Sequence, residues 1–179
     1  MTWRYTLLFV VGFSVVFLVS FFLPFPGYMD ADYYFATALR IAKGEGFSEP
    51  FLWNYLDDPQ GIPRPSHAYW MPLTSLLAAI GMAIFDAHTF LAARAGFLLL
   101  AGIVPSLTAW LSYRLNQDRF LALLSGLLAI FSTFYLPFLT TTDTFALYMV
   151  FGVTFFLALT FHQSLPTPFF SFFLGLLSV

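Results

Sequence analysis

The chain has 179 residues, 60% of them hydrophobic and only 9% charged, where soluble domains carry roughly a quarter charged residues. Its 25 Phe and net charge of −2 point to an all-α polytopic membrane protein and exclude a nucleic-acid binder that works through a basic surface. With no Cys, disulfides, thiolate metal sites and a Cys nucleophile are excluded as well.

Tyr5 to Leu23 is an apolar run of about 19 residues, or roughly 28 Å as a helix, enough to cross a bilayer core. It ends in Phe-Phe-Leu-Pro-Phe-Pro rather than in the small residues of a cleavage site. An uncleaved first span over 5–23 is expected, with Arg4 in the cytoplasm. Residues 24–89 follow as a long outer loop. Within it, 30–43 reads as a short helix with Asp30 as N-cap, Asp32 in the first turn, Lys43 in the last and Gly44 just past the end. Tyr34, Ala38 and Ile41 share one face of that helix, which suits packing on a membrane surface. Residues 44–70 are irregular, yet Trp53, Tyr55, Tyr69 and Trp70 speak against disorder.

The stretch 71–85 is about 15 residues, or roughly 22 Å as a helix, short of a normal span. It is expected to lie in the outer interface. Further spans are expected at 90–112, 120–136 and 144–162. From 168 to Val179 the apolar run is too short to cross, which predicts that these residues are the N-terminal part of a longer protein. Charge decides the topology. Placing 71–85 in the interface brings Arg114 and Arg119 to the side of Arg4, as basic residues prefer, and brings Asp143 to the side of Asp30 and Asp32. The alternative, in which 71–85 also spans, reverses both.

Six of the nine acidic residues fall between Asp30 and Asp58. Two carboxylates at a membrane boundary can hold a divalent cation such as Mg or Mn, or one can deprotonate a hydroxyl nucleophile. Capping and dipole complementation alone also account for Asp30 and Asp32. Trp53, Tyr69 and Trp70, with Asn54 beside them, offer flat rings and a hydrogen-bonding amide for a sugar, or else an interfacial aromatic belt. Arg64 and His67 are the loop's candidate partners for a phosphate. Asp143, in Leu-Thr-Thr-Thr-Asp-Thr-Phe, caps a helix beginning at Thr144 or serves with Asp32 as a metal ligand. Arg94, about one turn into its span, snorkels outward or meets a phosphate.

A first span, then Met29-Asp30-Ala31-Asp32-Tyr33-Tyr34, then Gly44-x-Gly46-Phe47, then Tyr69-Trp70-Met71-Pro72-Leu73, resembles the GT-C membrane glycosyltransferases. That superfamily includes protein O-mannosyltransferases, the aminoarabinose transferase of lipid A and the oligosaccharyltransferase catalytic subunit. The resemblance implies a GT-C-like helical bundle in the plasma (inner) membrane with its active loop extracytoplasmic. It implies inverting transfer of a sugar from a polyprenyl-phosphate donor to a hydroxyl or amide of a glycan, lipid or protein acceptor. Asp30 matches the general base of the mannosyltransferase-type pattern, while Asp32 and Asp143 match the metal-holding carboxylates of the oligosaccharyltransferase branch. That branch often has a second acidic residue just downstream, where this chain has Thr144, Phe145 and Ala146. A transporter or flippase for lipid-linked saccharides, or a non-catalytic membrane subunit, is the alternative. Transport calls for ionisable groups along a path inside the spans, and Arg94 is almost alone there.

Overall fold

The apolar runs fold as helices, in which backbone N–H and C=O groups between the ends satisfy one another. The structure, a computed structural model, describes residues 2–52, 61–68, 70–132 and 134–160, and these are mostly helical. Helices α1 (Thr2–Ser20) and α4 (Phe90–Asn116) contain 19 and 27 residues. They are the two described helices long and apolar enough to cross a membrane. Around them stand α2 (Met29–Ala42), α3 (Leu73–Ile84), α5 (Arg119–Ile130), α6 (Leu136–Leu139) and α7 (Phe145–Thr160). A short antiparallel ribbon pairs β1 (Ser48–Glu49) with β2 (Arg64–Pro65), setting Ser48 opposite Pro65 and Glu49 opposite Arg64.

α4 is the central helix, with α1, α3, α5 and α7 packed on it. Close approach is built in at two glycines. A Cβ at Gly81 of α3 would sit 2.3 Å from the carbonyl oxygen of Ala92, and one at Gly102 of α4 would sit 2.9 Å from Phe13 Cβ on α1. Large apolar side chains such as Phe22, Ile84 and Phe120 are exposed. The stretch 120–136, expected as one span, is two pieces. α5 ends at Ile130, and the chain restarts as α6, where Pro137 occupies a first-turn position that needs no N–H partner.

Between α1 and α2 the backbone leaves the helix, and its carbonyls need donors. Arg94 supplies two: Nη1 donates to Ser20 O at 2.9 Å and to Leu23 O at 2.8 Å. Its guanidinium lies 4.8 Å from the Phe90 ring centroid, and the side chain is 5% exposed. Arg94 therefore does not snorkel outward; it turns onto the carbonyl end of α1, where the helix carries partial negative charge. The α6–α7 connection supplies the rest. Thr141 Oγ1 donates to Pro26 O and Thr142 Oγ1 to Ala31 O, each at 2.9 Å.

Arg4 and Arg119 line one small cavity beside the N-terminal half of α1, while its C-terminal end meets Arg94 and leads into α2.

Ala at position 81 gains about 1 kcal/mol of helix propensity over Gly, but the methyl group meets a backbone oxygen that cannot step aside. Gly81→Ala is expected to lose about 1–3 kcal/mol net. Gly152→Ala, inside α7 with nothing within 4 Å of the added carbon, is the control and melts no lower than the parent in detergent. Equal melting of both variants with the parent removes the α3–α4 close contact.

Candidate functional site

The site forms where α2 starts. Its N-cap is Tyr28, in extended conformation and with no side-chain cap bond, so Asp30 is not the cap expected from sequence. Helix begins at Met29, one residue early, and both Asp30 and Asp32 fall in the first turn, where a negative charge meets the positive end of the dipole. Asp30 is half-buried and Asp32 exposed. At the other end Lys43 is the C-cap and Gly44 takes a left-handed φ of +77°. The last turn is held by Arg40, which bonds Ser48 Oγ at 2.6 Å and pairs with Glu45 at 2.7 Å.

Asp143 approaches from the α6–α7 connection and is 3% exposed. Its Oδ2 accepts a hydrogen bond from Tyr28 Oη, and its Oδ1 accepts from the backbone N–H and, at 3.0 Å, the hydroxyl of Thr144. Helix α7 begins only at Phe145, so this carboxylate braces the residue before the helix. No ion pair joins Asp30 or Asp143 to a basic side chain among the described residues. The consequence appears at Asp30: burial, and then the charge of Asp143, raise its carboxyl above the usual range. The Tyr28 phenol is likewise held far up, first by burial and then by its bond to Asp143 and the charges of Asp143 and Asp30.

An aromatic wall stands behind α2. His67, at a left-handed φ of +62°, donates its backbone N–H to Tyr33 Oη at 2.6 Å and holds Nδ1 3.0 Å from Trp70 O. Its ring stacks on Tyr34 with centroids 6.2 Å apart and meets the edges of Tyr33 and Phe47. Trp70 meets Tyr34 edge-on at 6.4 Å. Burial lowers the His67 pKa, partly offset by the Trp70 carbonyl.

Of the residues expected from sequence, Asp30 and Asp143 come together at the start of α2, and His67 and Trp70 join them through Tyr34. Arg64 lies on β2 across from Glu49. Trp53, Asn54 and Tyr69 lie outside the described residues. The Asp32 backbone N–H donates to Tyr28 O at 3.0 Å, while its carboxylate has no hydrogen bond among the described residues. Nor is there, among them, a group of three or more His, Asp or Glu placed to hold a metal ion, and Asp143 has already engaged both oxygens. Three participants were missed: Tyr28, Thr141 and Thr142. The run of hydroxyls between two apolar stretches was the available signal, since side chains of that kind serve buried carbonyls. No family model, curated protein or solved structure matches this chain.

Because the folded state prefers neutral His67, its contribution to stability is present above the ordinary His pKa and is lost as pH falls through the depressed folded one. Amides of 47–49 and 61–68 should therefore exchange faster at about pH 5.5 than intrinsic rates allow, relative to pH 7.5. His67→Gln should remove most of that difference, and an unchanged pH dependence in the variant would assign it elsewhere.

Proposed function

We propose that this chain belongs to a polytopic membrane glycosyltransferase of GT-C type, which takes a sugar from a polyprenyl-phosphate donor. Asp30 is the general base for the acceptor, at the outer face of the plasma (inner) membrane. Several features support the membrane arrangement: two helices of spanning length, exposed large apolar side chains, and Arg4 with Arg119 at one end of α1. Basic residues mark the cytoplasmic side, which leaves α2 and Asp143 outside.

The observation that carries the catalytic reading is a half-exposed Asp30 backed by a buried Asp143 that has no basic partner among the described residues, the Asp30 pKa being raised by burial and by that second charge. A carboxylate of increased basicity is a better proton acceptor near neutral pH. In the reaction, the acceptor O–H proton passes to Asp30 and the acceptor oxygen bonds to the anomeric carbon. The bond from that carbon to the phosphate oxygen breaks, its electron pair leaves with the polyprenyl phosphate, and the configuration inverts. The rings of His67, Tyr34 and Trp70 supply a wall suited to a sugar face. An apolar cleft of about 510 Å³ between Phe13 and Phe17 of α1, Ile84 of α3 and Leu91 of α4 suits part of a prenyl tail. Transport is disfavoured because Arg94, the charged residue in the body of α4 (Arg114 lies in its last turn), is engaged with the carbonyls of Ser20 and Leu23.

The test uses the full-length protein in proteoliposomes with a polyprenyl-phosphate hexose, following release of polyprenyl phosphate. Asp30→Asn should reduce turnover by roughly 10²–10⁴. Since a raised pKa means that ionised Asp30 weakens the fold as pH rises through its folded value, the Asn variant should melt no lower than the parent at pH 7. Asp143→Asn should move the acidic limb of the rate profile to lower pH. Parental turnover by a well-expressed Asp30→Asn protein sinks the proposal.

A further inference from the structure

Asp30, Tyr34 and Thr37 fall at i, i+4 and i+7 on α2 and so share one face of the helix. Two of the three are buried polar groups left without a partner. Tyr34 is 1% exposed and Thr37 fully buried, yet neither Tyr34 Oη nor Thr37 Oγ1 has a hydrogen bond among the described residues. Buried hydroxyls are nearly always paired, and each exception calls for an explanation such as strain, a catalytic role or a bound water.

Tyr34 cannot swing away to find a partner. Its ring is stacked on His67 and meets Tyr33 and Trp70 edge-on, and its carbonyl accepts from Ser75 Oγ at 3.1 Å. Burial, and then the charges of Asp143 and Asp30 with neighbouring phenols, keep it protonated, so its hydroxyl remains a donor within electrostatic reach of both carboxylates. The neighbour on the α7 side is Tyr148. That side chain is largely exposed, and its hydroxyl reaches only the thioether of Met71, at 3.5 Å. Sulfur is a weak acceptor, so this contact holds Tyr148 only weakly.

We propose that Tyr34 determines which acceptor the site takes: its phenol donates to the same oxygen whose proton passes to Asp30, so the site fits an alcohol and turns away an amine or amide nitrogen. The inference rests on Asp30 being the general base. An alcohol oxygen carries one O–H for the carboxylate and lone pairs for the phenol. An ammonium has donors only, and an amide nitrogen has no lone pair free to accept. Tyr34 keeps its own proton throughout. As the acceptor proton moves to Asp30, the hydrogen bond from Tyr34 steadies the growing negative charge on the oxygen that attacks the anomeric carbon.

Binding by the full-length protein in lipid nanodiscs tests this without turnover. The probes are methyl α-glucopyranoside and its 6-amino-6-deoxy analogue, followed by saturation-transfer NMR. The parent should hold the alcohol more tightly. Tyr34→Phe should weaken the alcohol by roughly tenfold or more, leave the ammonium probe within about twofold, and melt no lower, since the ring packing is kept. If the Phe variant melts lower, 3-fluorotyrosine at position 34 preserves the hydroxyl, and its stronger donor should tighten the alcohol. The assignment is overturned by no binding of the alcohol, by equal or better binding of the ammonium, or by an alcohol affinity that neither change at Tyr34 moves. If Asp30→Asn abolishes transfer while Tyr34→Phe retains parental selectivity, the Tyr34 assignment falls and the base stands. If Asp30→Asn transfers normally, both fall.

Discussion

Carbonyl oxygens that leave a helix inside an apolar bundle must be given donors, and the turn from α1 to α2 depends on that constraint. Ser20 and Leu23 receive Arg94, Pro26 receives Thr141, and Ala31 receives Thr142. A buried polar group left unpaired costs about 1–3 kcal/mol. Ser20 O also accepts from Leu23 N–H and Ala31 lies within α2, so among the described residues the carbonyls that depend on these donors are those of Leu23 and Pro26, set against a domain stability of about 5–15 kcal/mol. No apolar contact nearby substitutes for these bonds. The direction in which α2 departs, and hence the position of Asp30, is set by three polar side chains on α4 and on the α6–α7 connection.

The α6–α7 connection, acting as a strap, also explains why two carboxylates with no basic partner among the described residues come together. Thr141 and Thr142 draw the connection onto residues 26–31, and the next side chain along is Asp143, which Tyr28 and Thr144 receive. Three hydrogen bonds keep a buried carboxylate in place without a counter-cation, and its charge then acts on Asp30 across a poorly solvated gap. A structure optimised for stability alone would place an Arg there or replace Asp143 with a neutral residue. Bonds that favour folding elsewhere offset a local electrostatic cost, and such costs collect at functional sites.

Much of this was legible in the sequence, and the limits have physical causes. Helix was readable wherever apolar residues ran long, as in α1 and α4, because length and hydropathy are properties of the run itself. The break after Ile130 was not, because a continuous apolar stretch carries no sign of where tertiary contacts end a helix. Asp30 stood out by its position after the first apolar run. Its partnership with Asp143, more than a hundred residues later, needed the strap, and the strap depends on side-chain hydroxyls meeting carbonyls that no local pattern identifies. The cap failed for a related reason: Tyr28 is drawn to Asp143, so the helix begins with an N-cap that sequence preference would not choose.

The orientation of α2 shows how one face serves two purposes. Tyr34, Ala38 and Ile41 have the spacing of a surface-seeking stripe, but α3 covers that stripe instead, with Ala38 and Tyr34 buried and Ser75 bonded to the Tyr34 carbonyl. Burying the apolar side of the stripe brings its polar members inward with it, because residues three and four apart on a helix cannot be separated by rotation. Thr37 and the Tyr34 phenol are therefore desolvated whether or not they find partners. The ring contacts with His67, Tyr33 and Trp70 then fix the phenol within the electrostatic reach of the carboxylates. Helix periodicity, a requirement of packing, thus sets a constrained hydrogen-bond donor one turn from a constrained base.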